Sequence, residues 1–178
     1  MPKTQYYVAS SLDGFIADPD DKLDWLMQFG FDAFQAGYDS FIAATGAMIM
    51  GSHTYEFILG EGVDSWSYAD MPCWVLTSRQ LPDIRGADIT FTASDIGAVH
   101  ADATAAAGDK NVWLVGGGDV AAQFAERGLI DELIVTLMPI VLGSGKRLLP
   151  LGKPTEPLER LSMTPYEMGA IELVYRLR

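Results

Sequence analysis

Three short runs in this sequence gather groups that can handle phosphate. Gly116-Gly117-Gly118 lies between the apolar run Asn111-Val112-Trp113-Leu114-Val115 and a segment from Asp119 to Arg127 that reads as a helix stopped at Gly128. Consecutive glycines let the backbone take conformations closed to other residues and come close to a ligand. The N–H groups of a helix starting there suit a diphosphate, although a tight turn that needs glycine only for packing fits the spacing equally well. Met48-Ile49-Met50 followed by Gly51-Ser52-His53-Thr54 makes a second strand-to-helix junction. The two junctions could clamp one diphosphate, or Ser52 and Thr54 could be ordinary caps and His53 a surface residue. The third run, Thr77-Ser78-Arg79 after Val75-Leu76, puts two hydroxyls and a guanidinium at a strand end. It suits a phosphate monoester held by a forked Arg, or else it is a solvated loop. The spacing is not GxGxxG, so the Rossmann fingerprint does not apply.

Other residues are candidates for the substrate side. Asp24 and Trp25 end a polar stretch that begins at Asp18-Pro19-Asp20-Asp21, a candidate active-site loop that could close over a ligand. Asp32 opens the helix that follows, where a carboxylate either meets substrate or favours the helix dipole. Lys146 and Arg147 are clustered cations in the loop Leu142-Gly143-Ser144-Gly145-Lys146-Arg147 and suit a substrate phosphate, or else a solvated turn. Cys73 has apolar neighbours and reads as a small buried residue, not a nucleophile.

Positioning these runs requires strands that alternate with helices. Tyr6–Ser10, Ala47–Met50, Cys73–Thr77, Ile89–Thr92, Asn111–Val115 and Leu133–Val141 are short, apolar and β-prone. Helices are predicted from Phe31 to Ala44, with Phe34, Tyr38, Phe41 and Ile42 on one face, and from Gly51 to Leu59. Another runs over Ile96–Ala107, capped by Ser94. Segments 158–164 and 171–177 read as a closing hairpin. The pattern is an α/β sandwich whose sheet is mostly parallel with an antiparallel end.

The 178 residues suit a single domain, residues 1–178, and 49% hydrophobic content supplies a core. Twelve Lys and Arg against 24 Asp and Glu give a formal charge of -12, the wrong sign for nucleic acid or an anionic membrane. One cysteine permits no intrachain disulfide and no multi-cysteine metal site, so no metal is expected. No secretory leader and no spanning segment is read, and a cytoplasmic location is expected.

Taken in order, Val8-Ala9-Ser10-Ser11-Leu12-Asp13-Gly14-Phe15-Ile16-Ala17, Met50-Gly51-Ser52-His53-Thr54-Tyr55-Glu56, Leu76-Thr77-Ser78-Arg79 and Val115-Gly116-Gly117-Gly118 with Gln123-Phe124 resemble the dihydrofolate-reductase superfamily. The opening and the late Pro139-Ile140-Val141-Leu142-Gly143-Ser144-Gly145-Lys146-Arg147 look most like its riboflavin-biosynthesis reductase branch, the RibD C-terminal domain. The resemblance implies a three-layer α/β/α fold with a mixed, mostly parallel sheet, and a homodimer. It also implies reduction of a small heterocycle or sugar imine, as with 5-amino-6-(5-phosphoribosylamino)uracil, with NADPH (NADP) as cofactor. Gly51, Ser52, His53 and Thr54 would meet the cofactor phosphates, Thr77, Ser78 and Arg79 the 2′-phosphate, and Val115 to Val120, including Asp119, the diphosphate. Ala9 and Ile16 would line the nicotinamide pocket, and Asp32 would take the place of the acid that holds the pterin. Two departures stand out. Ser52 occupies a position usually basic in dihydrofolate reductases, and Gly60-Glu61-Gly62-Val63-Asp64-Ser65-Trp66 replaces a longer substrate segment of the riboflavin enzymes. True dihydrofolate reduction and a nucleotide-binding sensor without turnover are the alternative functions.

Overall fold

The apolar runs do become strands in the computed structural model, which describes residues 2–62, 66–68 and 70–178. In chain order they are β1 (Thr4–Ser11), β2 (Phe15–Ala17), β3 (Thr45–Gly51), β4 (Cys73–Leu76), β5 (Ile89–Thr92), β6 (Asn111–Gly116), β7 (Glu132–Met138), β8 (Lys146–Arg147), β9 (Glu159–Pro165) and β10 (Ile171–Arg176). Eight of them form one sheet in the order β5-β4-β3-β6-β1-β7-β10-β9. Neighbours from β5 to β7 are parallel, and β10 runs antiparallel to both β7 and β9. The central strands β3 and β7 are buried along almost their whole length, as parallel strands covered on both faces must be.

Helices cover both faces. On one, α4 (Ile96–Ala107) and α5 (Gly118–Glu126) pack Val99, Ala103, Ala121 and Phe124 against Tyr6, Ile49, Leu114 and Val135. On the other, α2 (Gln35–Ala43) and α3 (Ser52–Gly60) pack Tyr38, Phe41, Ile42 and Tyr55 against Met48, Met50, Val75 and Trp113. The short α1 (Asp24–Met27) sits near the antiparallel end with Met138 and Ala170. This is the three-layer α/β/α arrangement. No helix among the described residues is long and apolar enough to cross a membrane.

Three local expectations need correcting. The helix predicted from Phe31 starts only at Gln35, after Gly30 at φ +66° and a 3-10 turn over Asp32–Phe34. Asp95, not Ser94, caps α4, its carboxylate accepting from the Gly97 N–H at 2.8 Å. The loop at Lys146–Arg147 is not free. It pairs as β8 with β2, and its backbone passes so close to α5 that a Cβ on Gly118 would collide with the Arg147 carbonyl oxygen.

Candidate functional site

The carboxyl ends of β1, β3, β4 and β6 share one edge of the sheet, the edge at which open α/β sheets bind ligands. Because β6 lies beside β3, with Met50 opposite Gly116, the two strand-to-helix junctions are neighbours. A Cβ placed on Gly51 would lie 2.9 Å from Val120 Cγ2 and 3.8 Å from the Gly116 carbonyl oxygen. One placed on Gly116, whose φ is +137°, would lie 3.9 Å from Thr54 Oγ1. Val120 therefore packs the junctions together, and Thr54 spans them.

The N-caps of α3 and α5 are Gly51 and Gly117, and neither helix has a side-chain cap, in contrast to Asp95 on α4. Their first N–H groups have no partner within the helix and keep a partial positive charge. Gly117 borders open space, with no atom within 4 Å of where its Cβ would be. Two uncapped helix starts side by side can receive an anion larger than a single phosphate. Asp119 is exposed in the first turn of α5, where its carboxylate would compete for that same charge. Val115 is half-buried at the end of β6, and Ser52 is half-buried where a basic residue would have reached into the opening.

Beyond β4, the Arg79 N–H donates to Thr77 Oγ1 at 3.0 Å, forming a tight turn with Ser78 exposed at its tip. The Arg79 guanidinium is engaged. It donates to both carboxylate oxygens of Glu56 on α3, at 2.8 and 2.9 Å. The Arg beside it holds the Glu56 carboxyl below the ordinary range.

On the face of the sheet covered by α2 lies a cavity of 480 Å³ walled by Tyr7, Ala9, Phe34, Tyr38, Trp113 and Thr136. Its surface is mostly apolar, and no Lys, Arg or His lines it among the described residues. β1, β7 and β10 place Ala9, Thr136 and Glu172 in one cross-strand row, of which Ala9 and Thr136 line the cavity and Glu172 lies beyond them. Directly paired residues share a face of the sheet, so Glu172 stands on the cavity side. Burial pushes the Glu172 carboxyl above the ordinary range, while hydrogen bonds with Tyr7 and Thr136 partly offset that shift. Tyr166 faces Glu172 and packs edge-on against Phe34, with ring centroids 4.6 Å apart.

A second cavity of 500 Å³ opens between residues 20–27 and α3. Carboxylates of Asp20, Asp21, Asp24, Glu56 and Glu61 border it, with Lys22 as its ammonium and His53 also on its wall.

The structure brings Ala9 to the cavity and gathers Gly51, Thr54, Gly116, Gly117 and Val120 at the junctions. Other candidates fall elsewhere. Trp25 is buried in the cluster with Met138 and Ala170, a core position and not an open ring face. Asp32 is exposed in the 3-10 turn and lines neither cavity, so the expected acid is not there. Ile16 lies in β2 outside the cavity wall. Lys146 pairs with Asp21 at 3.4 Å, and Arg147 is exposed in β8; neither lines a cavity. Within the 60–66 segment, residues 63–65 fall outside the described residues. Burial pushes the Cys73 thiol up to about 12, which keeps it protonated.

Sequence reading misses Tyr7, Thr136 and Glu172. The one local sign is the alternation Ile171-Glu172-Leu173-Val174, which puts a carboxylate on the same strand face as a valine.

The family model described as the RibD C-terminal domain matches residues 61–171. Bacillus subtilis (strain 168) YwjB is 35% identical over 144 residues, covering 80% of each chain. The crystal structure of a putative riboflavin biosynthesis protein from Shewanella sp. PV-4 superposes with a TM-score of 0.82 at 24% identity, covering 98% of both chains. Dihydrofolate reductase from Enterococcus faecalis, complexed with NADP(H) and RAB-propyl, superposes with a TM-score of 0.67 at 16% identity, covering 98% of this chain and 95% of that one. Both structural likenesses establish the fold.

Proposed function

The chain belongs to the RibD C-terminal domain family, and on that premise we propose that it is an NADPH-dependent reductase acting on a small nitrogen heterocycle. The observation that carries this reading is the adjacency of two uncapped helix N-termini at the carboxyl edge of a sheet whose α2 face holds an apolar cavity.

The residues present fit such a cofactor. The N–H groups that follow Gly51 and Gly117 would hold its diphosphate, with the open space at Gly117 admitting it. Thr77, Ser78 and Arg79 would take the 2′-phosphate once Arg79 leaves Glu56, and Ala9 would border the ring. A reduced nicotinamide bound there supplies the hydride. The protein's own part is to orient and exclude. The rings of Tyr7, Tyr38 and Trp113 hold a flat acceptor and keep water away, and the hydroxyls of Tyr7 and Thr136 meet its polar edge. Dihydrofolate reduction is disfavoured, because Asp32 is exposed and lines neither cavity. The homodimer implied by the resemblance belongs to the same proposal and is tested by the mass of the protein in solution.

The test is titration with NADPH and NADH, followed by nicotinamide fluorescence, in wild type and in the Gly117→Val and Arg79→Ala variants. Saturable NADPH binding, abolished by Gly117→Val and made less selective over NADH by Arg79→Ala, supports the reading. No binding of either nucleotide to the wild type sinks it.

A further inference from the structure

The charges around the two cavities say what kind of ligand the protein rejects. The 480 Å³ cavity has no cation on its wall among the described residues, and the adjoining 500 Å³ opening carries five carboxylates. Lys22 is the single ammonium on that opening among the described residues, and Lys146 nearby is already paired with Asp21. A phosphorylated substrate would bring its charge into a field mostly of its own sign, with no cation on the cavity wall and only Lys22 against five carboxylates on the opening.

The same surroundings favour a cation. Aromatic faces attract positive charge, and Tyr7, Phe34, Tyr38 and Trp113 wall the cavity. Behind the wall stands Glu172, a half-buried carboxylate paired across the sheet with Thr136 and bonded to the hydroxyls of Thr136 and Tyr7, which do line the cavity. The titratable groups facing Glu172 are Tyr7 from β1 and Tyr166 from the turn between β9 and β10, and its β9 neighbour is Thr164. None of these supplies a positive charge. A cationic ligand would be the first counter-ion this carboxylate meets.

We propose that the cavity binds a flat, unphosphorylated nitrogen heterocycle in its protonated form, with the N–H edge turned to the cluster of Glu172, Thr136 and Tyr7. This rests on the reductase reading for what happens to the ligand, but not for its charge. It names the substrate class of the same site, and it separates this chain from an enzyme built for a ribosyl phosphate. Binding then takes up a proton whenever the free heterocycle is neutral, and affinity falls as pH rises above the ligand's own pKa.

The experiment is calorimetric titration with 2-aminobenzimidazole, a flat cationic bicycle, against its near-neutral counterpart 2-methylindole and against ribose 5-phosphate. Wild type, Glu172→Gln and Tyr7→Phe are compared, each first checked for a cooperative melting transition no lower than that of wild type. The expected result is one site for 2-aminobenzimidazole, weakened at least tenfold by Glu172→Gln and less by Tyr7→Phe, with proton uptake in high-pH buffers. The indole should bind at least tenfold more weakly, and ribose 5-phosphate should not compete. Equal affinity of wild type and Glu172→Gln, equal affinity for cation and indole, competition by ribose 5-phosphate, or no binding of the cation at millimolar concentration would each overturn the proposal. A parallel NADPH titration keeps the two readings apart. Failure there with the cation preference intact sinks the reductase alone, and the converse sinks only the substrate class.

Discussion

Glu172 ionises against the fold, because burial outweighs the help of two hydroxyls. A carboxyl whose folded pKa is raised favours the folded state while it is protonated, and that contribution is lost as pH rises through the raised value. Glu172→Gln should therefore gain stability over wild type at pH 8 and lose that advantage by pH 4, as read by urea denaturation at the two pH values. An advantage that persists unchanged at pH 4 would mean that the charge is not its source. Arg79 and Glu56 pose the opposite case, an exposed pair that must open before the guanidinium can hold a phosphate. Glu56→Gln should tighten NADPH a few-fold while leaving NADH unchanged, because exposed pairs are weak and only the 2′-phosphate needs the Arg. Neither partnership is legible in the sequence. Glu172 meets Tyr7 only through the order of β1, β7 and β10, and Glu56 meets Arg79 only because α3 and the end of β4 share an edge. Asp32 shows the converse. Its place at a helix start suits an acid, but Gly30 and the 3-10 turn leave the side chain in solvent.

At the scale of elements, the glycines of Gly116-Gly117-Gly118 differ in their surroundings. Gly117 faces open space, whereas Gly118 is pinned beneath the Arg147 carbonyl. Gly118→Ala should cost about 1–3 kcal/mol in urea denaturation, the usual penalty for overpacking, whereas Gly117→Ala should stay near neutral. From spacing alone, a phosphate cradle and a packing turn are equally good readings; the packing turn holds at Gly118, and the cradle is what we propose at Gly117. A second device ties loops together. Asp13 accepts from the Ser11 hydroxyl at 2.7 Å and from the N–H groups of Leu142 and Gly143 at 3.0 and 2.7 Å. These donors, Ser11 foremost, hold the Asp13 carboxyl below the ordinary range, so its contribution is present above the unfolded pKa and is lost as pH falls through the lowered one. Asp13→Ala should open residues 140–147 to limited proteolysis at neutral pH with the sheet intact. The main strands are legible because runs such as Val112-Trp113-Leu114-Val115 are buried on both sides whatever their neighbours. β2 and β8 are not, since their pairing depends on Gly145 passing against the Ala17 carbonyl, a contact that no local pattern announces.

The whole molecule is a polyanion that we propose binds another. With a formal charge of -12, its long-range field repels NADPH, and Arg79, the cation best placed to offset this, is engaged by Glu56. Binding must then rest on short-range donors, the N–H groups at the two helix starts, which act only after the cofactor has crossed the repulsive field. Salt separates these contributions, since the Debye length falls from about 30 Å at 0.01 M to about 8 Å at 0.15 M. Over that range long-range repulsion is screened while contacts inside the cleft are little affected. The association rate of NADPH, measured by stopped-flow fluorescence, should therefore rise about two- to fivefold between these ionic strengths, the reverse of a positively steered site. The dissociation rate should change less. An association rate that falls with salt would mean that the cleft is positive despite the acidic surface, and the cofactor would then be drawn in by cations other than Arg79.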